Sequence, residues 1–201
     1  MNKHLTPRRK SAQSGFTLIE LMTVISLIVI LMGITVGILR YANTKSSREK
    51  ARAEVAAFAG AAESYKSEWA AYPRSGETDA ISSYDSLGEE QYAASSLAFY
   101  KLVAGDMDAN GVPDRSEGVL NPAPEYMAFK TSQLARAGDR IRYIRDPWDR
   151  PSAPSSYGYA TKRALLLEAG SDDPAAGRNT TFDVWSRANS QQNSKAWVGN
   201  W

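Results

Sequence analysis

The apolar pattern along the chain changes character twice. From Leu21 to Leu39 nearly every residue is apolar, interrupted only by Thr23, Ser26, Thr35 and two glycines. With Phe16 to Glu20 in front, the run reaches the roughly 20 residues that span a hydrocarbon core. From Ala51 the pattern becomes a stripe: Ala51, Val55, Phe58, Ala62, Tyr65 and Trp69 are spaced by fours and threes, one face of a helix. Arg48, Arg52, Glu63 and Lys66 fall off that stripe. Pro73 cannot continue a helix and pushes Tyr72 toward an extended conformation. The pattern predicts one helix from Phe16 to about Ala71, roughly 80 Å long. Its first half crosses a membrane, and its second half buries the stripe, Trp69 included, against a globular head.

Beyond Pro73 the signals shorten. Residues 74–86 are rich in Ser, Gly and Asp and read as a loop. Ser86 with Glu89 three residues on has capping-box spacing and starts a second helix, Leu87 to Val103, with Tyr92, Leu97, Tyr100 and Val103 as core candidates. Short β-like runs follow at Arg140–Ile144, Tyr157–Ala160, Ala164–Glu168 and Phe182–Ser186, separated by turn-rich segments. The expected architecture is α+β: a long N-terminal helix packed on a small antiparallel sheet.

Composition narrows the chemistry. The chain has 201 residues, no cysteine, and one histidine, His4. Disulfides, thiolate nucleophiles, Cys- or His-ligated zinc and His-based catalytic triads in the body are therefore excluded. The 24 basic and 22 acidic residues nearly balance, so net charge gives no argument for nucleic acid. Their distribution is uneven. Lys3, Arg8, Arg9 and Lys10 precede Phe16 without an acid among them, leaving 20 basic and 22 acidic residues in the rest. The positive-inside bias keeps this stub cytoplasmic and the body outside. A cleaved secretory signal would have a shorter apolar region and a small-residue cleavage site; here Arg40, Tyr41 and Asn43 follow the run.

Glu20 is the anomaly within the oily run. An ionisable group in a membrane segment costs on the order of a few kcal/mol unless it is paired or interfacial. The string Gly15-Phe16-Thr17-Leu18-Ile19-Glu20, after a basic leader and before an unbroken apolar run, closely resembles the N-terminus of type IV prepilins and type II secretion pseudopilins. In that family a membrane-embedded aspartyl peptidase cuts after the glycine and methylates the new amine. The resemblance implies a cleaved leader 1–15, a cut between Gly15 and Phe16, and an N-methylated Phe16. It also implies a filament-core helix over 16–40 and an extracytoplasmic body over 41–201. Glu20 would then meet the Phe16 amine of a neighbouring subunit, two costly buried charges made tolerable by pairing. Many relatives carry proline where this chain has Gly37. Gly33 and Gly37 each weaken the helix by about 1 kcal/mol relative to alanine, without imposing the same break.

The C-terminal half is similar to the major pseudopilin of type II secretion. Asp146-Pro147-Trp148, Phe182-Asp183-Val184-Trp185-Ser186 and a chain end of Asn200-Trp201 carry that similarity. Residues 74–138 read as an insertion. The family usually binds calcium in a C-terminal loop, but "SRANSQQNSKAWVGNW" holds no carboxylate side chain, so that site is not expected here. The insertion instead contains "DMDANGVPDRSE" at 106–117, which fits D-x-[DN]-x-[DN]-G-x₅-E without a gap. Asp106, Asp108, Asn110, Asp114 and Glu117 would supply side-chain oxygens to Ca²⁺, Val112 a backbone carbonyl, and Gly111 the turn. Gly118, Pro122 and Pro124 oppose an exit helix, making this an isolated EF-hand-like loop. The plainer alternative is a surface turn without metal.

The resemblance implies a non-enzymatic pseudopilin, a single-pass inner-membrane protein whose head lies in the periplasm. Its partners would be further copies and other pseudopilins in the pseudopilus, the prepilin peptidase/N-methyltransferase, and an inner-membrane assembly platform, with no nucleic acid. The alternatives are a type IV or minor pilin of a surface or DNA-uptake fibre, and a singly anchored binding module. The absence of cysteine disfavours the pilins that staple their C-terminal region.

Overall fold

The computed structural model describes residues 15–190 and 193–201. The basic leader, including Lys3, His4, Arg8, Arg9 and Lys10, lies outside the described residues save for Gly15. The chain forms two units that meet between Thr44 and Lys45. Helix α1, Leu18–Trp69, runs through both and stays helical across Gly33 and Gly37.

In the first unit α1 is long and apolar enough to cross a membrane. The hydroxyls of Thr23, Ser26 and Thr35 donate back to the carbonyls of Glu20, Met22 and Leu31, each at 2.8 Å. These bonds satisfy the polar groups that lipid could not.

The second unit is built around the stripe on α1. Val55, Phe58, Ala61 and Ala62 are buried against Phe99, Tyr100 and Val103 of α3 (Glu89–Ala104). From the other side they meet Ile141 and Ile144 of β2 (Arg140–Ile144), Tyr159 of β3 (Gly158–Ala160) and Val184 of β4 (Asp183–Ser186). Phe58 sits at the centre, edge-on to Phe99 at 6.0 Å and to Tyr157 at 4.9 Å. Helix α3, inside the 74–138 segment, is thus a wall of the main core. Two of its buried serines tie it to the strands: Ser96 Oγ accepts the Ile144 N–H at 3.0 Å, and Ser95 donates to the Tyr159 carbonyl.

Among the described residues the strand pairings are antiparallel, as expected, but they form two sheets. β1 (Leu134–Ala137) pairs with β2, and β4 lies between β3 and β5 (Val198–Gly199). Gly158 faces Trp185 across the β3–β4 ladder, and a Cβ there would run into the buried indole. A second cluster joins Trp185, Trp197, Tyr92 and Ile81, and a third joins Ala51, Trp148 and Val198.

Four local expectations are corrected. Residues 164–168 belong to a helix, α4 (Lys162–Glu168), not a strand; Ala, Leu and Glu are strong helix formers, and five apolar-rich residues cannot establish a period. The 74–86 loop contains a helical turn, α2 (Gly76–Asp79), closed by a Ser75–Thr78 capping box. Ser86 does not cap α3: its N-cap is Gly88, without a side-chain bond. Glu89 instead accepts the Ser156 N–H at 2.7 Å and pairs with Arg187. Trp69 is 55 % exposed, because α3 and the sheets cover α1 only as far as Ala62. The helix ends with Ala70 in the left-handed region at φ 56°, ahead of Pro73.

Candidate functional site

The first candidate site is the start of α1. Gly15, Phe16 and Thr17 are unwound and exposed, with Phe16 87 % accessible. This suits a bond that a peptidase must reach. Helix begins at Leu18, and its free N–H groups need acceptors. Thr17 N–H and Thr17 Oγ both donate to Glu20 Oε2, at 2.8 and 2.7 Å, and Glu20 N–H approaches Thr17 Oγ at 3.3 Å. This is a reciprocal capping box, T-x-x-E. The acid thus caps its own helix through Oε2, while Oε1 has no partner among the described residues. Placing a carboxylate in the first turn also complements the helix dipole. Sequence reasoning singled out Glu20 but missed Thr17, although T-x-x-E spacing was the available signal.

The observation that classifies this segment is a family match. Residues 10–36 match the family model of the prokaryotic N-terminal methylation motif. The match indicates an N-terminus of the type IV pilin-like prepilin kind, a substrate of prepilin peptidase. It brackets Gly15, Phe16 and Glu20 and leaves the head outside. No curated protein and no solved structure matches the chain. The motif and the apolar N-terminal helix, the one of such length among the described residues, fit a membrane-anchored, single-pass protein.

The second candidate site is the loop 106–117. Oxygens of Asp106, Asp108 and Asp114 lie within 4.8 Å of one another, with Asp106 and Asp114 buried and Asp108 exposed. Backbone geometry concentrates them. Gly111 turns at φ 92°, where a side chain would be strained. Asp106 accepts the N–H of Asn110 at 3.1 Å and of Gly111 at 2.7 Å, and Asp114 that of Met107 at 3.2 Å. Glu117 joins through the Asn110 amide at 2.7 Å. Val112 N–H donates to Asn110 Oδ1 at 2.7 Å. Past the loop the chain makes one tight turn, Asp114–Glu117, and leaves through Gly118 in the left-handed region; no exit helix follows, as the glycine and prolines imply.

Three supporting residues were not legible in the motif. Tyr100 on α3 donates to Asp106 Oδ2 at 2.6 Å. Burial first, and then this contact with the carboxylate, push the Tyr100 hydroxyl well above its ordinary range. Arg140 pairs with Asp108 at 3.3 Å, and Arg136 donates to the Asn110 carbonyl at 3.1 Å. The loop is therefore clamped to both α3 and the β1–β2 hairpin.

Proposed function

We propose that this chain is a structural filament subunit, a pseudopilin of a type II secretion-like system. In this reading it is cut between Gly15 and Phe16, methylated on Phe16, and assembled with other copies into a pseudopilus that drives protein export from the inner membrane. The carrying observation is the methylation motif over residues 10–36, at the start of a helix long and apolar enough to cross a membrane. In the membrane, lipid covers that helix; in a filament, other copies do. The lack of cysteine and the similarity of the Asp146-Pro147-Trp148 and Phe182–Ser186 segments support the secretion subunit over the fibre pilin.

Glu20 links the two states. Its local cap lowers the cost of holding an acid at this depth, and Oε1 stays open to the cationic amine of a neighbour. The pair then sets register, because either charge alone in the apolar core is penalised. Glu20→Ala tests the role: the variant should insert and be processed but yield no filaments after crosslinking and shear. Normal filament yield would refute the pairing.

The 106–117 loop supports a second proposal, that it takes Ca²⁺. The donor set is hard oxygen throughout, and three carboxylates already cluster. Asp106, Asp108, Asn110, Asp114 and Glu117 would hold the ion, with the Val112 carbonyl. The ion would offset the repulsion among these acids and stiffen the loop against α3.

A further inference from the structure

The β1–β2 ladder is irregular. Ala135 pairs with Tyr143, but Arg136 pairs with Ile141, so Arg142 has no partner on β1 and bulges from the strand. Bulges of this kind re-aim a side chain and concentrate beside functional sites. The bulge lies at a cavity of about 240 Å³ that Arg136, Arg145 and Arg150 also line. The turn carrying Arg150 is closed on Ala153 by two backbone bonds, at 3.3 and 3.0 Å, so the side chain springs from a fixed point.

Four arginines but a single carboxylate, Asp149, line this cavity, and that acid is already engaged. It accepts the Tyr143 hydroxyl at 3.0 Å and the Ser155 N–H at 2.8 Å, and it pairs with Arg145 at 3.5 Å. Arg136 turns its guanidinium to the acidic loop, where it donates to the carbonyls of Asn110 and Asp139 beside Gly111, so the cavity's own cations are Arg142, Arg145 and Arg150. Among the described residues, Arg142 and Arg150 have no ion-pair partner. The concentration of positive charge stands out because the chain beyond Gly15 is mildly acidic.

We propose that this cavity binds a phosphate-class oxyanion. Every cation in it is arginine, whose planar fork matches phosphate oxygens and is more weakly hydrated than an ammonium. A single carboxylate needs one such fork, whereas several convergent forks suit a multiply charged anion with oxygens on more than one side. The natural source is a soluble phosphorylated molecule or a lipid headgroup.

The test uses the full chain in neutral detergent micelles at low salt, titrated with pyrophosphate by calorimetry. Wild type should bind one pyrophosphate per chain, more weakly as salt rises. Arg142→Gln and Arg150→Gln should each weaken binding about tenfold, the effect of one charge-assisted hydrogen bond. Both side chains are exposed, so the variants should melt as wild type does, and Lys195→Gln serves as the charge-matched control. Repeating the titration with phosphatidylglycerol in the micelles separates the sources. Competition by the lipid assigns a headgroup, and unchanged pyrophosphate binding assigns a soluble ligand. The absence of saturable binding at millimolar pyrophosphate would overturn the site. So would equal losses in Lys195→Gln, or no loss in the Arg142→Gln, Arg150→Gln double variant.

Discussion

Asp146→Asn should stabilise the head, and by an amount that depends on pH. The Asp146 carboxyl is 2 % exposed, in the turn after β2. Its Oδ1 accepts the Trp148 N–H at 2.9 Å, while the buried Oδ2 closes no hydrogen bond among the described residues. Burial pushes its pKa from 3.8 up to about 6. The nearby Ser186 hydroxyl and the N–H groups of Trp148 and Arg187 oppose the rise, and the Glu54 carboxylate adds to it. A folded-state pKa above the unfolded one means that folding takes up a proton between about pH 4 and 6. This group's penalty is therefore full above pH 6 and is relieved as pH falls toward 3.8. The difference amounts to about 3 kcal/mol. Asparagine keeps the acceptor for Trp148 and never ionises. The variant should gain up to about 3 kcal/mol at pH 7.5 and only about 1 kcal/mol at pH 4.5. Urea unfolding followed by tryptophan fluorescence at both pH values measures this on the full chain in micelles. A variant less stable than wild type by the same margin at both pH values would refute the reasoning, making the carboxylate a net structural asset.

Three other substitutions probe the packing and the loop. Phe58→Ala, at the hub of the aromatic core, should cost about 3–5 kcal/mol in the same unfolding assay, and a loss below about 1 kcal/mol would displace Phe58 from that role. Saturating Ca²⁺, at about 100 times its Kd, should stabilise the head by about 2.7 kcal/mol. Thermal melts should show that rise lost in Asp106→Asn and reduced in the exposed Glu117→Gln; identical melts with Ca²⁺ and with chelator in wild type would return the loop to a plain turn.

Long, repeated patterns were legible in the sequence, and short ones were not. Helix α1 could be read because its apolar run and stripe extend over many turns, far more than chance spacing produces. β2 was placed at its observed bounds because Ile141 and Tyr143 alternate with arginines. β1 escaped because Leu-Ala-Arg-Ala has little β preference; its strand status comes from pairing with β2. The S-x-x-E spacing at Ser86 was not used as a cap because Glu89 found stronger partners in Ser156 and Arg187, which lie far along the chain. The same logic worked unnoticed at Thr17 and Glu20, where no tertiary partner competes among the described residues. The acidic loop was visible as a contiguous motif. Its clamp by Tyr100, Arg136 and Arg140 depends on the fold bringing α3 and the hairpin together, and so does the arginine cavity around Arg142.

The proposed function stands on processing of the chain into a filament subunit, with Phe16 as its methylated first residue. Mass spectrometry of the mature N-terminal peptide, from cells that carry the cognate peptidase, tests it most directly. The expected peptide begins at Phe16 and carries one added methyl group on its amine. An intact Met1, or a cut at any bond other than Gly15–Phe16, would contradict it.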